Sequence, residues 1–108
     1  MEKPIERTTL LVLSLLSAED MYGYQMITEL ERRSENVFHM KEGTLYPILK
    51  KLENGGLIAS YELPFNGRTR KYYRITTAGL SRLKSEREEW DSYARGIGAV
   101  IAGAPVCI

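Results

Sequence analysis

Positive charge in this chain gathers in two short clusters. Lys41, Lys50 and Lys51 mark one, and Arg68, Arg70 and Lys71 the other. Residues 1–40 hold four Lys/Arg against seven Asp/Glu, a balance of −3; residues 41–74 hold seven against three, a balance of +4; residues 75–108 hold four of each. The net charge of +1 hides that separation. Fixed cations grouped on one stretch can neutralise the phosphates of a nucleic-acid backbone. The same grouping also serves as an ordinary solvated face, so charge alone does not decide between the two. Chemistry of other kinds has little to work with. There is one histidine and one cysteine, and no nucleophile elbow, phosphate-cradling loop or zinc-protease pattern. His39 lacks ligand residues at metal spacing and reads as structural or surface. We therefore expect no enzyme, no cofactor and no metal. The Glu86, Glu88, Glu89 run reads as a solvated helix face.

The first cationic cluster sits on a helix. Leu45, Ile48, Leu49 and Leu52 recur at i, i+3, i+4 and i+7, one apolar face at helical spacing. Thr44, Lys50 and Lys51 fall off that face, toward solvent or a ligand. Pro47 removes one helical hydrogen bond and presses on the carbonyl four residues back, that of Gly43, so a local distortion is expected near the start. Gly55-Gly56 ends the helix, and Leu57-Ile58 opens a strand.

Taken in order, the chain begins with a helix expected over Ile5 to Leu16, apolar almost all round and so buried on more than one side, against a partner chain or a long C-terminal helix. Ser17-Ala18-Glu19-Asp20 breaks it. A second helix runs from about Tyr22 to Arg33, with Tyr22, Met26, Ile27 and Leu30 inward and Gly23 admitting a close neighbour. Tyr24 and Gln25, near its positive end, are placed to donate to a phosphate. After a turn over Ser34–His39 comes the basic helix, a helix-turn-helix pattern. Strands are expected over Ile58–Glu62 and Lys71–Ile75, with Pro64 ending the first and Asn66-Gly67 making a tight hairpin turn. Arg68, Arg70 and Lys71 then lie at or beside the tip of a wing, suited to backbone or minor-groove contact. Charge there also guards an exposed hairpin against edge pairing.

Thr76 or Thr77 caps a last long helix. Leu80, Leu83, Arg87, Trp90, Ala94, Ile97 and Ile101 keep a three-four spacing, a narrow seam interrupted by Arg87. A small winged core is already closed without this seam, so a second copy of the chain is the expected cover. Gly96, Gly98 and Gly103 weaken the helix toward its end. The apolar tail from Val100 to Ile108 has no clear pattern, and the penultimate place of Cys107 does not match prenylation.

Gly43-Thr44-Leu45-Tyr46-Pro47, Leu49-Lys50-Lys51-Leu52-Glu53, Gly56-Leu57-Ile58 and Lys71-Tyr72-Tyr73-Arg74-Ile75-Thr76, in that order, resemble the PadR family of transcriptional regulators. Tyr22-Gly23-Tyr24 resembles that family's entry to its second helix. The likeness spans roughly residues 5–95. It implies an α+β, mostly α fold: a winged helix-turn-helix over residues 1–76, then a C-terminal dimerisation helix and apolar tail over 77–108. It implies a dimeric repressor whose basic helix enters the major groove. Thr44 and Tyr46 would stand near base edges, and Lys41, Lys50 and Lys51 at phosphates or guanine. The operator would be a palindromic duplex with half-sites about one helical turn apart. The family includes sensors of phenolic and multidrug-type compounds; paired Trp90 rings on the seam could sandwich a planar aromatic effector, and Trp90 could equally serve only to pack the dimer. Lys41 departs from the family's usual Ser or Thr cap, and the glycine-rich tail departs from its usual charged end. The rival reading is a winged-helix module for protein partners, permitted by the nearly neutral net charge. With no run of ~20 apolar residues, no secretory pattern at the N-terminus and a lone thiol, the expected location is cytoplasmic, with no membrane association.

Overall fold

The computed structural model describes residues 7–103 of the chain. The elements run α1 (Thr8–Ala18), β1 (Met21–Tyr22), α2 (Gly23–Arg33), α3 (Glu42–Asn54), β2 (Ile58–Phe65), β3 (Arg68–Ile75) and α4 (Thr77–Ile101). The expected first turn from Ile5 and the tail with Cys107 lie outside the described residues.

Helix α1 is the centre of the packing. Leu10, Val12, Leu13, Leu15 and Leu16 are all buried, because α2, α3, α4 and β3 surround it. Each such side chain contributes roughly 1.5–3 kcal/mol when fully withdrawn from water. Of the two covers expected for its second apolar side, the structure supplies α4 of the same chain. Met26, Ile27 and Leu30 of α2 and Leu45, Leu49 and Leu52 of α3 complete the core with Met21, Met40, Ile58, Tyr73 and Leu83. The turn between α2 and α3 is tied by the Asn36 N–H to the Glu31 carbonyl (2.8 Å) and by the Phe38 N–H to Ser34 Oγ (3.0 Å). Glu35 and Asn36 take positive φ there (53° and 67°). Pro47 lies inside a helix that continues through it from Glu42 to Asn54.

The sheet is antiparallel in the order β1-β3-β2. The strand β1 was not expected: two residues are too short for a sequence pattern, and they extend because Met21 and Tyr22 pair with Tyr73 and Tyr72. The hairpin is longer than expected, in register from Ile58 opposite Ile75 to Phe65 opposite Arg68. Pro64 pairs with Thr69 instead of ending β2; an edge strand tolerates a residue without an N–H. Asn66 (φ 50°) and Gly67 (φ 76°) form the turn, both left-handed, as a two-residue hairpin whose twist matches its strands requires.

Thr76 caps α4: its hydroxyl oxygen accepts the Gly79 N–H at 3.0 Å. The helix runs on through Gly96 and Gly98 to Ile101, about 37 Å at the usual rise per residue. Leu83, expected on the seam between copies, is instead 5% exposed and part of the protomer core, since the first two turns of α4 lie on the winged domain. Among the described residues, no helix is long and apolar enough to cross a membrane.

Candidate nucleic-acid interface

Helix α3 presents its polar side to solvent because the opposite side is spent on the core. At 100° per residue, Gly43, Pro47, Lys50 and Asn54 form the outward midline, with Thr44 and Lys51 on one flank and Tyr46 on the other. All are exposed. Gly43, Pro47 and Asn54 were not singled out from sequence as contact positions, although the same helical wheel that buries Leu45 and Leu49 puts them outermost. Lys41 is the N-cap, exposed, with no side-chain capping bond.

Two positions expected to face a ligand are also engaged inside the protein. Tyr46, 45% exposed, leans on the start of α2: its hydroxyl oxygen lies 2.7 Å from where a Cβ on Gly23 would stand. Gly23 thus admits α3, the close approach expected of it. Gln25 accepts the Tyr22 N–H through its side-chain oxygen (3.4 Å), leaving its amide NH2 as the end able to donate outward. Tyr24, beside it, is 59% exposed.

The wing has two faces. Met21, Ile58, Tyr73 and Ile75 point to the core. On the other face Tyr22 and Tyr72 meet edge-on (5.6 Å), and Tyr72 and Tyr61 stack (5.7 Å). Tyr61 donates to Asp20 Oδ2 at 2.6 Å, and that bond pushes the phenol above its ordinary pKa. Burial raises the Tyr73 phenol likewise. Arg70 lies beside the tip, two residues past Arg68, which pairs with Phe65 at the turn. Its guanidinium lies between the rings of Phe65 (3.4 Å) and Tyr22 (4.0 Å), just before α2 begins. Stacking fixes the plane of the guanidinium and covers its faces, so its in-plane N–H groups are the part left for an anion. Tyr22 and Phe65 were missed as a platform for Arg70; the alternation of the hairpin carries that signal once its full length is known. Arg68 flanks the turn, and Lys71, on the core-facing side, lies 5.5 Å from the Tyr73 ring.

Electrostatically, the cluster is open. Among the described residues the ion pairs are Glu29 with Arg32 and Arg33, and Glu86 with Arg82, while His39 Nδ1 lies 3.1 Å from Glu31 Oε2. None involves Lys41, Lys50, Lys51, Arg68, Arg70 or Lys71. Among the described residues, these six cations are therefore not neutralised by ion pairs of the protein itself. No group of three or more metal-ligating side chains occurs among the described residues.

On α4, Leu80 near the start and Trp90, Tyr93, Ile97, Val100 and Ile101 toward the far end are exposed, from 39% at Ile97 to 80% at Val100. Arg87 is exposed and Ala94 half-buried. Trp90 and Tyr93 are neighbours at 5.9 Å, and the Arg7 guanidinium lies 5.6 and 5.0 Å from their rings.

The PadR-like transcriptional regulator family matches residues 12–85. A transcriptional regulator of Mycobacterium tuberculosis is 33% identical over 86 residues, 80% of this chain and 78% of that protein. A crystal structure from Streptococcus mutans superposes with a TM-score of 0.79 at 34% identity, covering 100% of both chains. A PadR family transcription regulator from Clostridium difficile superposes at 0.75 and 33% identity, covering 86% of this chain and 96% of that one. The family model covers more than half of the chain, and the chain belongs to the PadR-like family of transcriptional regulators.

Proposed function

We propose that this chain is a dimeric repressor that reads a palindromic operator. The observation that carries the reading is the open charge: among the described residues, every cation of α3 and the wing named above lies outside the ion pairs. Helix α3 enters the major groove with Thr44, Lys50 and Lys51, while Lys41, Tyr24, Gln25, Arg68, Arg70 and Lys71 hold flanking phosphates. The unpartnered stripe of α4 from Trp90 to Ile101 supplies the contact between two copies, with Arg87 at its near end. Two copies present two reading helices, hence a palindrome.

Selection of bound duplexes from a random pool at moderate salt tests this. An enriched palindrome is the expected result. Binding that shows neither enrichment nor a steep salt slope would instead favour a winged-helix module for protein partners.

The exposure of Trp90 (42%) beside Tyr93 favours a second element of the reading: a planar aromatic effector enters between the indoles of two copies and weakens operator binding. Trp90 fluorescence unchanged by planar aromatic compounds across a wide concentration range would refute it for those compounds.

A further inference from the structure

The turn that ends the reading helix is clasped by the start of α4. Gly56 sits at φ +77°, and its carbonyl accepts the Thr76 hydroxyl at 2.7 Å. The same hydroxyl oxygen accepts the Gly79 N–H at 3.0 Å. The Thr76 N–H donates to the Leu57 carbonyl at 3.1 Å, while the Leu57 N–H closes back on Leu52 within α3 at 3.0 Å. Gly79 is buried. A methyl group there would overlap the Leu57 carbonyl oxygen and stand 2.7 Å from Ile75 Cγ1. One hydroxyl and one missing side chain therefore hold three features of the molecule at contact distance: the end of α3, the start of β2 and the first turn of α4. A second bond makes the wing follow α3. Ser60 Oγ, on β2, donates to Glu53 Oε2, on α3, at 2.6 Å.

We propose that Thr76 and Gly79 are positioning residues for DNA reading: they lock α3 and the wing to α4 as one body, so that the placement of α4 sets the direction and separation of the two reading helices. This rests on the reading that α3 meets DNA and α4 joins two copies. It goes further by naming the joint through which a change at the dimer helix reaches α3. Threonine suits the joint because its hydroxyl donates and accepts at once. Valine has the same shape and does neither.

The test uses the full chain with Cys107→Ser and spin labels at Lys50→Cys on α3 and Glu89→Cys on α4. Mixing with excess unlabelled chain restricts the measured distance to one protomer. Double electron–electron resonance on the parent should give one narrow distance. Thr76→Val should broaden it, and Thr76→Ser, which keeps the hydroxyl, should restore it. On DNA, palindromes of stepped half-site spacing should be discriminated by the parent. Thr76→Val should lose about fivefold or more of that discrimination, the low end of coupling between sites, while binding to a single half-site is kept. A Thr76→Val distance as narrow as the parent's would overturn the proposal, even if thermal stability falls. A parent that binds no duplex would sink the DNA reading instead, and the distance measurement would still decide the joint.

Discussion

Gly79→Ala should destabilise the protein although it places the best helix former in a helix. In an open helical position, alanine gains about 1 kcal/mol over glycine. At Gly79 the new methyl meets the Leu57 carbonyl oxygen and Ile75. The obstacle is backbone, and that carbonyl is already held by the Thr76 N–H, so it does not swing away as a flexible side chain would. Overpacking costs typically 1–3 kcal/mol. With the cost at the upper end and the propensity gain set against it, the net loss is about 2 kcal/mol. For a domain of this size that lowers Tm by roughly 10 °C.

The control is Gly96→Ala, in the same helix, where nothing lies within 4 Å of the added Cβ. There the propensity term acts alone, and a gain of about 0.5–1 kcal/mol is expected. Urea denaturation followed at 222 nm at fixed protein concentration reads both. The same substitution should thus give opposite signs at two positions of one helix. If Gly79→Ala is neutral or stabilising, the close approach of α4 to Leu57 is wrong, and with it the clasp described above.

Ile97→Asp puts a charge on the exposed stripe of α4; sedimentation should show single chains, and palindrome affinity should fall about 10²-fold or more as the second half-site ceases to be intramolecular. Arg70→Ala should reduce the slope of log K against log salt by about 0.9 if Arg70 holds one phosphate, and Arg70→Lys should not restore full affinity, because an ammonium does not stack between Phe65 and Tyr22 as a guanidinium does. Glu29 accepts from Arg32 and Arg33, which lower its pKa from 4.5 to about 2. A carboxyl with a depressed folded-state pKa stabilises above its unfolded pKa and loses that contribution as pH falls, so Glu29→Gln should flatten the acid loss of stability between pH 4.5 and 2, measured by thermal melts across that window.

What could be read from the chain depended on the length of each pattern. Four leucines and isoleucines at helical spacing placed α3, and the same wheel placed Lys50 and Lys51 outside. Asn66-Gly67 placed the hairpin turn because both residues accept positive φ. Patterns too short or too local for that reasoning were lost. Met21-Tyr22 becomes a strand only because Tyr72 and Tyr73 lie beside it, a contact some fifty residues away in sequence. Pro64 was read as a stop because a proline cannot donate, and the penalty vanishes on an edge strand. Leu83 carries no local mark that separates it from Trp90 or Ile97. All three share one stripe, and only the reach of the winged domain along α4 decides which is covered.

That reach gives the molecule its division of labour. The first turns of α4 bury Gly79 and Leu83 inside the protomer while leaving Leu80 exposed, and the apolar stripe continues into solvent from Trp90 onward. Arg87, exposed between them, marks the changeover. A stripe wholly within one protomer would leave nothing to join two copies. A stripe wholly between copies would leave α4 attached to the reading helix by a covalent link alone. If α4 joins two copies as proposed, one helix does both, and a rotation forced on its outer half by a partner or an aromatic ligand is carried by its inner half, where Gly79 and Thr76 meet the end of α3. On the proposed DNA reading, the open charge of α3 and the wing would then be moved against the phosphates without any change in its own composition.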